Sequence, residues 1–288
     1  MEERRERTGH KLAASLTLAG VYVGFTTWTY FAWYHNHQRN TEGFKWGGDR
    51  WFQADTYAGG ADKLGHAWAT MGLARGGTEL LAQWGGVDRL TASLIGCGLS
   101  ELLFFGVELK DGDYYEFSYG DFAFNSGGAL LAFALSNWPR LDELVDYRVQ
   151  YWPSKAYRRQ LTNDGNVNIA EDYTGETYLL ALHLGGIHSL RDWKYGTWSR
   201  FVDVAVGFET RGYKPDPLPG EDDFVHTQKL FLGVTLNAQG IFDYLLDGRS
   251  KPAKKILHGT FELFNLPYST LPVVDGERGA VMTDNDGA

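Results

Sequence analysis

Residues 61–84, 88–109 and 119–137 form three stretches of apolar and small residues, yet each carries acidic or histidine side chains at helical spacing. Asp62 and His66 are four residues apart and share a helix face, as do Asp121 and Asn125. Glu101 and Glu108 are seven apart, with Phe105 between them, and share a face as well. A charge left unpaired in an apolar interior is very costly, so ionisable groups on such helices pair with one another and mark functional positions. Asp62 and His66 open the second helix, Glu108 lies near the end of the third, and Asp121 and Asn125 open the fourth. In an up-and-down bundle those ends share one level, and Glu101 sits about two turns deeper.

A further helix is expected over 12–34. Arg4, Arg5, Arg7 and Lys11 precede it, and basic residues before an apolar run mark a signal peptide or a signal anchor. The run is long enough to cross about 30 Å of hydrocarbon. Bulky Trp28, Tyr30, Phe31, Trp33 and Tyr34 stand where a cleavage site needs small residues, so a retained helix that anchors or spans is expected. No cysteine directly follows it, which argues against lipoprotein processing of this chain. The lone Cys97 excludes an intramolecular disulfide framework and a cysteine zinc site. If the basic cluster stays cytoplasmic, the shared level of polar residues faces the extracytoplasmic side.

A polar, Gly-rich connector occupies 35–60, Gly85-Gly86 closes the second helix, Asp111-Gly112-Asp113 reads as a turn, and Pro139 stops the fourth helix. Gly72, Gly76, Gly77, Gly96, Gly98, Gly127 and Gly128 suit close backbone approach between helices. Aromatic residues, 15% of the chain, fit either a membrane interface or an aromatic-rich core.

After about residue 140 the pattern changes. The segments 178–184, 201–208 and 229–236 read as strands, 241–246 and 253–264 as short amphipathic helices, and 163–166 and the proline-rich 214–223 as loops. The expected architecture is α+β: a membrane-associated bundle of about four helices over 1–140, a β-rich antiparallel region with short helices over 141–270, and a disordered tail over 271–288.

The formal charge of −9 and the lack of a basic stripe exclude a nucleic-acid binder. No Gly-rich phosphate loop and no Gly-x-Ser-x-Gly elbow is present. The polar constellation admits three readings. His66, Asp62 and Asp121 could hold a divalent metal that activates water. His66 could act as general base with Asp62, Glu108 and Asp121 as acid and orienting groups, while Lys63, Glu101, Asp111, Ser118 and Asn125 bind or position. Alternatively Asp62, Lys63 and His66 form a structural network, with Ser118 as a helix cap and Asp121 as a first-turn acid. His35, His37, His183, His188, His226 and His258 are scattered and form no metal motif.

The segments Gly59-Gly60-Ala61-Asp62-Lys63-Leu64-Gly65-His66, Glu108-Leu109-Lys110-Asp111-Gly112 and Phe117-Ser118-Tyr119-Gly120-Asp121-Phe122-Ala123-Phe124-Asn125-Ser126-Gly127-Gly128 resemble the YfiM-like family of uncharacterised predicted periplasmic or outer-envelope (lipo)proteins. The resemblance continues through 172–178, 204–208 and 232–237, covering roughly 20–265. The Asp-Lys-x-x-His element, the later Glu and the Ser-x-x-Asp-x-x-x-Asn-x-Gly element also resemble VanZ-like membrane proteins over a shorter stretch. Both resemblances imply an envelope location, at the inner membrane with an extracytoplasmic site or at the outer membrane or periplasm, and neither implies an established chemistry. Three functions follow as expectations: an envelope scaffold that binds membrane lipid or another envelope protein, a membrane-interface hydrolase or transferase acting on a lipid-linked or phosphorylated substrate, and a transporter accessory with an ion or proton site at Glu101.

Overall fold

The structure, a computed structural model, describes residues 2–48, 50–165, 167–215 and 225–281. The chain divides into two compact units, Met1–Trp51 with Lys63–Pro139, and Phe52–Asp62 with Arg140–Ala288. The second unit thus takes in 52–62, which the expected boundary at 140 had assigned to the helices.

The first unit is built from α1 (Glu2–Thr29), α2 (Ala61–Glu79), α3 (Arg89–Tyr114) and α4 (Tyr119–Asn137). α1 and α2 each end in a widened π turn, Tyr30–Tyr34 and Leu80–Trp84, so the helical spans agree with the expected 12–34 and 61–84 at their C-terminal ends. Gly86 closes the second of these with φ +62, a left-handed conformation that favours glycine. Asp88 caps α3 by accepting from Thr91 N at 2.9 Å. α3 does not stop at the expected turn 111–113, because Gly112 is part of the helix. A Cβ there would lie 2.2 Å from Phe44, so this glycine serves close packing and not a turn.

Glycines also draw the helices together. A Cβ on Gly96 would meet Ala74 O at 2.6 Å, and one on Gly128 would meet Ala67 O at 2.2 Å. α2 therefore lies backbone-close to both α3 and α4. Ala14 and Leu18 of α1 pack on Leu81 and Ala92. The connector straps the α3–α4 turn: Lys45 N donates to Gly112 O and Phe117 N to Lys45 O, and β1 (Trp46–Gly47) pairs parallel with β2 (Phe117–Ser118). Among the described residues α3, and not the expected 12–34, is long and apolar enough to cross a membrane by length and composition, a test that core helices of soluble proteins also pass.

The second unit holds the one-turn α5 (Pro139–Asp142), β3 (Val145–Tyr151), α6 (Lys155–Asp164), β4 (Glu176–His183), the one-turn α7 (His188–Arg191), β5 (Val202–Arg211), β6 (Val225–Leu236), α8 (Ala238–Leu245), α9 (Lys251–Leu263), β7 (Phe264–Asn265) and β8 (Thr270–Val281). The sheet order is β7-β3-β4-β5-β6-β8. Neighbours are antiparallel, as expected, except β7, which runs parallel to β3. Residues 163 and 164, expected in a loop, belong to α6. Ser154 caps that helix by accepting from Tyr157 N, and Gly165, at φ +66, ends it. The tail expected to be disordered from 271 instead supplies β8 against β6. Most of the proline-rich 214–223 and all of 282–288 lie outside the described residues.

The two faces of this sheet carry an unusual distribution. Asp146, Ala181, Ala205 and Gly233 form one cross-strand row, and His183, Asp203, Thr235 and Thr270 form the next on the same face. That face is buried, with Leu179, Ala181, Ala205 and Phe231 as its apolar core. The opposite face presents Leu182, Val204, Val234 and Leu271 in one row and Leu180, Val206, Leu232 and Val274 in another, all exposed.

Candidate functional site

Lys63, His66 and Thr70 follow one another at three and four residues on α2, so they share a face. Close contact with α4 through Gly128 brings that face against Asp121 and Asn125, and α3 contributes Glu108 near its end. Ser118, held by the β1–β2 pair, caps α4 by accepting from Asp121 N at 3.0 Å. The cap starts α4 where Asp121 falls in its first turn, a position the helix dipole favours for an acid.

The Lys63 ammonium lies 3.4 Å from Asp121 Oδ1, with both side chains buried. His66 Nδ1 lies 3.1 Å from Asn125 Oδ1 and 3.4 Å from Glu108 Oε1. Asn125 donates through Nδ2 to Glu108 Oε1 at 3.2 Å, and Thr70 donates to Asn125 Oδ1 at 3.0 Å. His66 Nδ1 thus faces two acceptor oxygens. A proton on Nδ1 would satisfy the Asn125 oxygen, and Nε2 would then be the nitrogen that accepts a proton. Glu108 is buried, and its carboxyl is pushed up to about 8, first by burial and then by the nearby Asp121 and Asp111, while His66 pulls in the opposite direction. The His66 side chain is 18% exposed, whereas Glu108 behind it is 1% exposed. Phe104 stands edge-on against the imidazole, with ring centroids 5.9 Å apart.

The sequence-derived residues sort into those that meet and those that do not. His66, Glu108, Asp121, Asn125 and Lys63 converge, with Ser118 as the cap. Glu101 forms a separate pair, accepting from Ser126 Oγ at 2.6 Å on the deeper part of α3. Asp111 accepts from Tyr34 Oη at 2.8 Å and ties α3 to the π turn after α1. Asp62 is buried and is grouped with the second unit, where Tyr57 Oη donates to its Oδ2 at 2.8 Å. Thr70 was not anticipated, although its spacing four residues beyond His66 carries the signal.

His66, Glu108 and Asp121 bring ligand atoms within 4.8 Å of one another. The buried Lys63 already neutralises Asp121, however, and a divalent ion would stand beside that ammonium. The residues fit a resident divalent metal poorly.

A second polar cluster, not anticipated, lies on the buried face of the sheet. Arg148 donates to Asp146 Oδ2 at 2.6 Å and to Asp203 Oδ2 at 3.0 Å. His183 bridges the same carboxylates, with Nε2 2.9 Å from Asp146 and Nδ1 3.0 Å from Asp203. Asn237 donates to Asp203 Oδ1 at 2.9 Å, and Gln239 accepts from Arg148 at 3.0 Å. Every charge here has an opposite partner, which makes the cluster an internally closed network.

No curated protein and no solved structure matches the chain significantly. The family model for predicted periplasmic lipoproteins (DUF2279) matches residues 48–137, which hold α2, α3, α4 and the convergent site. It supports an uncharacterised periplasmic (lipo)protein family over that segment, short of the 20–265 that the resemblance suggested. On this match the chain is a protein of the cell envelope, similar over 48–137 to predicted periplasmic lipoproteins.

Proposed function

We propose that the helical unit holds an acid–base site in which His66 and Glu108 exchange a proton near neutral pH, serving a hydrolytic or group-transfer reaction in the cell envelope. The observation that carries this reading is the contact of His66 Nδ1 with Glu108 Oε1 and Asn125 Oδ1, at 3.4 and 3.1 Å. Two acceptors behind the ring fix its tautomer and orientation, as a carboxylate does behind a general-base histidine. Nε2 takes a proton from water or a hydroxyl, and Glu108 in its ionised form stabilises the imidazolium that forms. Lys63 and Asp121 neutralise each other and hold α2 against α4, while Asn125 positions both members of the pair.

The test is turnover of chromogenic phosphodiester and carboxylic ester probes by the full chain. His66→Gln is expected to keep the wild-type melting temperature and Glu108→Gln to stay folded, and both to lose about 10²-fold or more in rate. Equal turnover in wild type and both folded variants would overturn the proposal for these substrate classes.

A second reading is favoured by the closure of the network around Thr70, Asn125 and Lys63, whose side chains are buried. Here the polar residues specify helix packing in an envelope scaffold that binds lipid or another envelope protein. It predicts that His66→Gln lowers the melting temperature and changes no reaction rate.

A further inference from the structure

The polarity of the sheet is reversed from that of a soluble protein. Its buried face holds a guanidinium, two carboxylates and an imidazole, and its exposed face holds two cross-strand rows of aliphatic side chains without an ionisable group. We infer that the exposed face of β4, β5, β6 and β8 lies against the acyl chains of a phospholipid bilayer.

Four observations support a lipid partner over water or a second copy. Soluble sheets turn their aliphatic face to the core, whereas walls that face lipid alternate apolar outward and polar inward. A second copy docking on this face would not account for the charges gathered on the inner one. On β6 the exposed side chains run from Leu230 to Leu236, six residue steps or about 20 Å, near the ~25 Å apolar band of membrane barrels. Exposed Trp193, Tyr195 and Trp198 precede β5, and Tyr244 follows β6 with its ring 5.4 Å from Phe201. These aromatics border the band at one end, where a membrane interface places them.

The fourth observation concerns the sheet ends. Hydrocarbon offers no partner for an open strand edge. Asn265 of β7 donates to Gln150 Oε1 of β3 at 3.2 Å and to Thr235 Oγ1 of β6 at 2.9 Å, and Thr270 of β8 donates to Gln150 Oε1 at 3.0 Å. Side chains from both ends of the strand order thus meet, so the sheet is curled with its polar face inside. The envelope location already established puts the protein beside a membrane.

The experiment uses the full chain with Cys97→Ser and one new cysteine at a time, Val206→Cys, Leu232→Cys, Val234→Cys or, as a control on α9, Lys254→Cys. Each variant carries an environment-sensitive thiol label and is reconstituted into phosphatidylcholine vesicles with or without brominated acyl chains. Far-UV circular dichroism in detergent confirms folding. The inference expects labels at 206, 232 and 234 to lose most of their fluorescence to brominated lipid and to resist aqueous iodide, with the reverse at 254. Iodide quenching at all four positions, without a bromolipid effect, would overturn it. Efficient disulfide cross-linking of Leu232→Cys between copies, again without a bromolipid effect, would also overturn it and identify the partner as a second copy.

Discussion

The helical and strand units each bury several charges and leave none without an opposite partner in the clusters described, but they do so with opposite geometry. In the helical unit Lys63 meets Asp121 and His66 meets Glu108, across helices brought backbone-close by Gly96 and Gly128. In the strand unit Arg148, Asp146, Asp203 and His183 come from neighbouring strands and occupy one face of a sheet. The first cluster keeps one member, His66, in reach of solvent. The second is closed on every side, its four ionisable side chains between 0 and 7% exposed. The contrast separates a cluster with one member open to solvent, as the proposed proton exchange requires, from a network closed around its charges.

The sharpest way to break the comparison is to remove the central cation of the closed network. Arg148→Met leaves Asp146 and Asp203 buried beside each other and should cost about 3–5 kcal/mol, read by chemical denaturation. A cost below about 1 kcal/mol would show that water reaches the cluster and that it is not closed.

Gly128→Val attacks the helical unit where it cannot yield, because the added carbon meets the Ala67 carbonyl of α2 at 2.2 Å. A loss of about 1–3 kcal/mol is expected, with the convergent site opened. Gly127→Ala next to it, with open space around the new carbon, should be neutral or slightly stabilising.

A smaller, pH-dependent effect distinguishes the two clusters. The Glu108 carboxyl is raised from 4.5 to about 8, so the folded protein binds this proton more tightly than the unfolded chain. Its stabilising contribution is complete below 4.5 and is lost as pH rises through about 8. Glu108→Gln, which keeps the acceptor for Asn125, should flatten the decline in melting temperature across that window. An identical decline in both proteins would assign the pH dependence elsewhere. The smallest effect belongs to the exposed Lys254–Asp247 pair: Lys254→Ala should shift stability by no more than about 0.5 kcal/mol.

The difference between the units also explains what could be read in advance. Helical faces are written at intervals of three and four residues, so Asp121 with Asn125 and His66 with its neighbours were visible, as were the four helices and their shared level. Thr70, four residues beyond His66, follows the same rule. Asp62 shares that spacing, but the backbone there belongs to the segment packed in the second unit, which local periodicity does not reveal. Strand partners are set by register. Arg148 and Asp203 are 55 residues apart, and no local pattern joins them. β3 escaped notice because Asp146 and Arg148 on its buried face look like solvent-facing residues. β8 escaped because its polar sequence is paired through distant β6.

The central claim is that His66 and Glu108 act as one proton-exchanging unit. Nitrogen-15 NMR of the histidine rings in the full chain, titrated from about pH 5 to about 9 in wild type and Glu108→Gln, tests it most directly. The account predicts an Nδ1-protonated His66 whose midpoint moves by about one pH unit or more when Glu108 is replaced. A midpoint unchanged by the substitution, or a proton on Nε2 in the neutral ring, would contradict it.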